Sequence, residues 1–477
     1  MKKHSTIIAL LFFLALVINS VAQDKAQKID QYLTKCCEYG VFNGSALVSE
    51  HGNVILKKGY GYANFEWNIA AAPDTKFRLG SITKQFTAML IMQLLEKKLV
   101  KLDGRITDYL PYYPKETGEK ITVHQLLSHT SGIFNYTDDA ELYAKGRFFH
   151  LTPEELTKTF SGRALDFEPG TKWNYSNSGY IVLGAIIEQV TGKPYEQVLQ
   201  ENILNPLGMN NTGYDHWENI LPHRASGYNR VFDLYQNAEY LDMSLPYAAG
   251  SLYSTVEDLF MWGESLYSDK LVSFESLKKM MTPYMNNYGY GLGIRKVSPG
   301  NGSDSITIVS HSGGINGFNT YMGRCIEDKN TIILLSNTVP FNYGEVALAV
   351  RNILYDKPHQ EPKRSAAVLL YKGIQEKSID RVIADFNRVK DDYSVNEFEF
   401  NNLGYTLMGT EKLKEAIEVF KLNVALFPDS WNVYDSLGEA YMKNGDTKLA
   451  IENYRKSVEL NPENKNGIEA LKKLESK

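Results

Sequence analysis

Phe77-Arg78-Leu79-Gly80-Ser81-Ile82-Thr83-Lys84 decides how this chain is read, because it opens a long apolar stretch. Phe86, Ala88, Met89, Leu90, Ile91, Met92, Leu94 and Leu95 make that stretch apolar on nearly every side. Such a pattern predicts a buried helix over 82–98. Gly80 lets the backbone turn sharply at its mouth. Ser81 and Lys84 then lie one turn apart on one face. A serine hydroxyl is a poor nucleophile until a base takes its proton. A lysine that is desolvated and set near a helix N-terminus has an accessible neutral form and can be that base. The pair therefore points to acyl transfer through a serine. The plain alternative for Ser81 is a helix N-cap.

Ser-x-x-Lys also occurs at Ser276-Leu277-Lys278-Lys279. That copy has two adjacent lysines, no glycine before the serine and no apolar helix behind it, and it reads as a solvated helix face.

Outward from this stretch, 477 residues with 22% charged and 43% hydrophobic side chains exceed one small core and predict two or three units. A net charge of −5 without long Lys/Arg runs argues against nucleic acid or an anionic membrane as partner. Lys2, Lys3 and His4, then the apolar run Ile7–Val17, then Ser20-Val21-Ala22 read as a secretory signal over 1–22. The run is short for a bilayer span, and the expected product is exported, periplasmic or secreted, with no stable membrane anchor. Three cysteines, Cys36, Cys37 and Cys325, leave at least one thiol free. No Cys-x-x-Cys or His-Glu-x-x-His spacing occurs, so neither metal nor cofactor is expected.

Ser45–Val48 and Val54–Leu56 around His51-Gly52-Asn53 read as a hairpin. Ser178–Val190 reads as a helix ended by Thr191-Gly192. Strand patterns return at Tyr288–Leu292, Ile306–Val309, Gly317–Ile326 and Thr331–Leu335, and a helix over Val346–Tyr355 comes after them. Strands at both ends with helices between them predict a mostly antiparallel sheet and an α/β (α+β) domain with a helical insert over 23–357.

The polar, two-proline stretch 358–365 reads as a linker. Beyond it Leu403-Gly404, Ala416-Ile417, Phe420 and Pro428 recur 34 residues later as Leu437-Gly438, Ala450-Ile451, Tyr454 and Pro462. Leu369-Leu370, Ile383 and Phe386 form a fainter copy. That period predicts tetratricopeptide-like helical repeats over 366–477, either a buttress or a surface for a protein partner.

Two further motifs complete the candidate site. Tyr175-Ser176-Asn177 stands between the turn Glu168-Pro169-Gly170-Thr171 and the apolar helix from Ser178. A loop tip fixed by a helix is a useful place for functional side chains, and a phenol near an ammonium loses its proton more readily. His311-Ser312-Gly313-Gly314 comes after a strand, and its paired glycines let a substrate lie against the backbone. The plain alternatives are a half-buried tyrosine and a bulge with a surface histidine.

Ser81-x-x-Lys84, Tyr175-x-Asn177 and His311-x-Gly313, in that order, make residues 25–357 resemble the serine β-lactamase and penicillin-binding superfamily. The nearest branch holds class C β-lactamases, D-aminopeptidases, DD-carboxypeptidase-like proteins and esterases. Leu126-Leu127-Ser128-His129-Thr130-Ser131-Gly132 resembles another segment of that branch, with His129 read as structural. The resemblance implies an antiparallel sheet flanked by helices plus an all-helical lobe. It implies catalytic Ser81, Lys84 and Tyr175, with Asn177, His311, Gly313 and Gly314 meeting the substrate. The N–H groups of Ser81 and Gly314 would form the oxyanion hole. His311 stands where many members carry lysine; largely neutral at pH 7, it should hold carboxylates less firmly. The expected activity is hydrolysis of an ester, amide or D-amino-acid peptide bond, on a small-molecule or peptide substrate. The alternative is an interaction or sensor protein whose repeats bind a partner.

Overall fold

The structure is a computed structural model that describes residues 23–298 and 305–476. The signal segment expected over 1–22 lies outside the described residues. The chain forms two compact units. Of the described residues, the first holds those up to Arg230 together with those between Tyr235 and Glu361, and the second holds Val231–Leu234 with those from Pro362 onward.

In the first unit a six-stranded, wholly antiparallel sheet is built from β1 (Gly44–Glu50), β2 (Asn53–Tyr60), β3 (Gly293–Val297), β4 (Ile306–Ile315), β5 (Phe318–Cys325) and β6 (Asn330–Ser336). Its order is β3-β4-β5-β6-β1-β2, so the late strands complete a sheet begun by the early hairpin. Both faces are covered. Successive side chains of a strand point to opposite faces. Leu47, Ile333 and Leu335 accordingly enter the main core, while Ala46, Val48, Ile332 and Leu334 pack with Ile29, Leu33, Val350 and Ile353 on the other side. The second face is closed by a helix over 23–38 and by Tyr343–Leu354.

The main core is threaded by α1 (Thr83–Glu96), entered through a 3-10 turn at Gly80–Ile82. Phe86, Met89, Leu90, Ile91 and Met92 are buried around its whole circumference, as the sequence predicts. Thr83, Lys84, Gln85 and Thr87 are buried too, and each has a hydrogen-bond partner. Gln85 accepts from the Trp262 indole at 2.9 Å, and the Thr87 hydroxyl donates to the Ala248 carbonyl at 2.6 Å. Buried polar groups left without such partners would cost about 1–3 kcal/mol each. α2 (Asn177–Thr191) packs beside it and ends at Gly192, whose φ of 67° is the left-handed conformation that suits glycine.

One predicted strand is displaced. Tyr288–Leu292 forms a loop, and the strand begins at Gly293. Gly291 has φ +70°, and a Cβ on Gly289 would stand 2.4 Å from the Met280 carbonyl oxygen. The Tyr-Gly-Tyr-Gly alternation therefore serves a tight loop rather than a pleat. All three cysteines are free, with Cys36 and Cys325 buried.

The second unit is helical. Ala366–Glu376 with Ile379–Val389, Glu397–Gly409 with Leu413–Leu426, and Trp431–Asn444 with Thr447–Leu460 form three helix pairs, and Lys465–Glu475 closes the series. The repeat offset has a packing cause. A Cβ on Gly404 would sit 2.4 Å from the Phe420 ring, and one on Gly438 would sit 3.1 Å from the Tyr454 ring. Glycine at these equivalent positions lets the second helix of each pair close on the first. Within the stretch read as linker, Arg364–Ser365 pairs in parallel with Tyr393–Ser394.

Candidate active site

Ser81 lies in the 3-10 turn ahead of α1, and no side chain caps that helix. The N-cap alternative is thus not what the fold uses. The Ser81 Oγ lies 3.0 Å from Lys84 Nζ. Lys84 is fully buried, and its Nζ also donates to Asn177 Oδ1 and to the Ala249 carbonyl, each at 2.8 Å. A neutral amine has two N–H donors and one lone pair. Asn177 and Ala249 take the two donors, and the remaining direction faces the serine hydroxyl. Burial pushes the Lys84 pKa well below its ordinary value. The pair is therefore arranged for the hydroxyl to donate to the amine.

The Asn177 amide is fixed from behind. Its Nδ2 donates to Thr137 Oγ1 at 3.1 Å, and its backbone N–H donates to Asn135 Oδ1 at 2.9 Å. This holds Oδ1 toward Lys84. Tyr175 is half-buried, and its ring centroid lies 5.0 Å from Lys84 Nζ. Burial raises the pKa of its phenol, and a hydrogen bond with Ser81 acts against that rise.

The glycines of the third motif meet the same turn. A Cβ on Gly313 would stand 1.8 Å from the Leu79 carbonyl oxygen, and one on Gly80 (φ +56°) would stand 2.9 Å from the Gly314 nitrogen. Only glycine permits this approach of β4 to the serine turn. Gly314 itself remains exposed. An open hollow of about 410 Å³ begins there and is lined by Ile315, Asn316, Asn319, Asn229 and Glu239.

His311 is buried, and both ring nitrogens are engaged. Nδ1 donates to the Ser312 carbonyl at 2.6 Å, so Nε2 accepts from the Tyr288 hydroxyl at 2.9 Å. Burial, reinforced by Lys84, lowers its pKa to about 4. Histidine in place of lysine thus puts an uncharged ring in the site.

The fold brings Ser81, Lys84, Tyr175, Asn177, Gly313 and Gly314 together, with His311 one ring further out, 6.3 Å from the Tyr175 centroid. Sequence reading missed Tyr288, assigned to a strand, and the Ala249 carbonyl, which has no side-chain signal. In the second Ser-x-x-Lys only the lysine side faces solvent as expected: Lys279 pairs with Glu275, whereas Ser276 is buried and donates to Glu96.

Residues 23–355 match the Beta-lactamase family, and residues 432–464 match a tetratricopeptide repeat. The chain belongs to the Beta-lactamase family. Within it, similarity runs to penicillin-binding and D-alanine-releasing proteins. A Bacillus subtilis protein named as the penicillin-binding protein PbpX is 33% identical over 314 residues, 66% of this chain and 74% of that protein. The teichoic acid D-alanine hydrolase of Staphylococcus aureus is 30% identical over 267 residues, 56% of this chain and 62% of that protein. The D-amino acid amidase of Ochrobactrum anthropi, crystallised with L-phenylalanine, aligns at 25% identity with a TM-score of 0.59, covering 70% of this chain and 98% of the amidase. Among the described residues no helix is long and apolar enough to cross a membrane.

Proposed function

We propose that this protein is an exported serine hydrolase of the Beta-lactamase family that forms an acyl-enzyme at Ser81 on an ester, amide or D-amino-acid peptide bond. The observation that carries this reading is the buried Lys84 amine, with two N–H bonds committed and its third direction on Ser81 Oγ. Lys84 takes the hydroxyl proton as Ser81 attacks the carbonyl. The Ser81 and Gly314 N–H groups receive the developing oxyanion, each worth about 3–4 kcal/mol in the transition state. Tyr175, hydrogen-bonded to Ser81, carries the proton to the leaving group and later assists the deacylating water. Asn177 holds the amine in register and contacts the substrate amide.

His311 decides the substrate class. A neutral ring with both nitrogens engaged offers a carboxylate neither charge nor a free donor. The amides lining the hollow beside Gly314 suit a peptide-like or D-amino acyl group, the class on which the D-alanine hydrolase and D-amino acid amidase relatives act by name. The test is a panel of p-nitrophenyl ester, D-amino amide and chromogenic cephalosporin. Ester and D-amino amide are expected to be turned over faster than the cephalosporin. That preference should hold unchanged from pH 8 down to pH 5, because His311 gains charge only around pH 4. A cephalosporin ranked first would overturn the assignment.

The repeats over 366–477 we assign to a protein partner. Removing residues 362–477 is expected to leave ester turnover intact while a co-purifying protein is lost. A truncated chain that unfolds would instead make the repeats a buttress.

A further inference from the structure

We infer that His129 is a positioning residue for Tyr175: its backbone carbonyl and its ring hold the backbone N–H groups of the two residues that flank that tyrosine. The inference rests on the hydrolase reading, in which Tyr175 moves the proton.

His129 stands in Ser128-His129-Thr130-Ser131-Gly132, outside the three motifs that build the site. It is 1% exposed and adopts φ +58°, a left-handed conformation uncommon for a side chain other than glycine. That conformation lets one residue use two acceptors on one segment. The carbonyl accepts from the Asn174 N–H at 3.0 Å, and Nδ1 accepts from the Ser176 N–H at 3.1 Å. The residue between those donors is Tyr175. The imidazole also packs against the Tyr175 ring, with centroids 4.3 Å apart and planes tilted by 40°. Its surroundings continue with Tyr288 at 4.7 Å and Tyr180 at 5.2 Å.

A backbone N–H can only donate, so Nδ1 must be unprotonated and the proton must sit on Nε2. Nε2 is buried without a hydrogen-bond partner. A ring held for packing alone would have no need of that tautomer. Here the cost of an unpaired donor is accepted while the acceptor is directed at the Tyr175 loop. Burial, Lys84 and His311 all disfavour the imidazolium, which would lose the acceptor.

Two substitutions separate the clamp from the strain. His129→Gly relieves the left-handed backbone and keeps the carbonyl, but removes the ring. His129→Asn tolerates the same φ and returns an acceptor near the Nδ1 position. With the full-length protein and a p-nitrophenyl ester, His129→Gly is expected to lower kcat about 10- to 100-fold with KM nearly unchanged, the scale of a misplaced catalytic group. His129→Asn should recover most of that loss. Adding His129→Gly to Tyr175→Phe should cost little more than Tyr175→Phe alone, since both act through one group. Nitrogen NMR of the wild type should find Nδ1 unprotonated at neutral pH, a readout that survives even if His129→Gly does not fold. Full kcat in His129→Gly, no recovery in His129→Asn, additive losses in the double variant, or a protonated Nδ1 would each overturn the inference. A wild type that turns over no substrate and takes no label at Ser81 overturns the hydrolase reading and this inference with it. An active wild type beside an equally active His129→Gly overturns the inference alone.

Discussion

Ser81→Ala is expected to lower turnover of an activated ester by about 10⁴-fold or more. The covalent route has one oxygen, and nothing else in the site can replace it. The Tyr175 phenol is held protonated by burial, and the other motif serine, Ser276, donates its hydrogen bond to Glu96, a carboxylate and not an amine. What remains after the substitution is the oxyanion donors and binding, which elsewhere sustain a residual acceleration of about 10³–10⁴ over water. The fold should survive, because Ser81 caps no helix and its hydroxyl bonds to Lys84 and Tyr175, themselves site residues. A fluorophosphonate or a labelled penicillin offered to the wild type should therefore leave its mass on the peptide carrying Ser81. The same reagent should leave none on Ser81→Ala and none on Ser276 in either protein. Label absent from Ser81 in an intact, folded wild type would remove the acyl-enzyme.

The parts of this site that could be read in the sequence are those in which a side chain repeats a spacing. Helix α1 was legible because burial on all sides requires apolar residues on all sides, and Ser81 and Lys84 stand at its start. The early hairpin was legible from alternation and a turn, and the repeats from a 34-residue offset whose glycines admit Phe420 and Tyr454. What could not be read has a common physical character. The Ala249 carbonyl fixes one Lys84 proton, but a backbone acceptor leaves no trace in residue type. Asn135 and Thr137 orient Asn177 from some forty residues upstream, a contact made by the fold alone. Tyr288 was hidden because Tyr-Gly-Tyr-Gly satisfies a strand alternation while Gly291 turns the chain out of it. Its hydroxyl then occupies His311 Nε2, so the group that takes up the free nitrogen of that ring lies outside all three motifs.

Lys84→Met should be the second large loss, about 10²–10⁴-fold in turnover, the usual worth of a positioned base. Its value lies in a second measurement that the rate cannot supply. Burial depresses the Lys84 pKa in the folded protein, whereas in the unfolded chain the amine returns to the ordinary value near 10.5. Between those two values the unfolded state binds a proton that the folded state does not. Stability therefore rises with pH across that window, by up to about 1.4 kcal/mol per unit, and the contribution is complete only above the unfolded value. Methionine fills a similar volume and has no proton to bind. It also leaves Asn177 Oδ1 and the Ala249 carbonyl without their donor, a penalty of about 1–3 kcal/mol each that does not vary with pH. The offset between the two proteins mixes that penalty with the relief of not burying an amine, but its slope above about pH 8, where His129 and His311 are neutral in folded and unfolded chain alike, belongs to the amine. Denaturant unfolding of both proteins between pH 6 and 10 should show the wild type gaining on Lys84→Met as pH rises toward 10.5. Parallel curves would mean that the amine keeps its proton in the folded state. Ser81 would then face an ammonium with no lone pair to receive its hydrogen, and the base would have to be sought elsewhere.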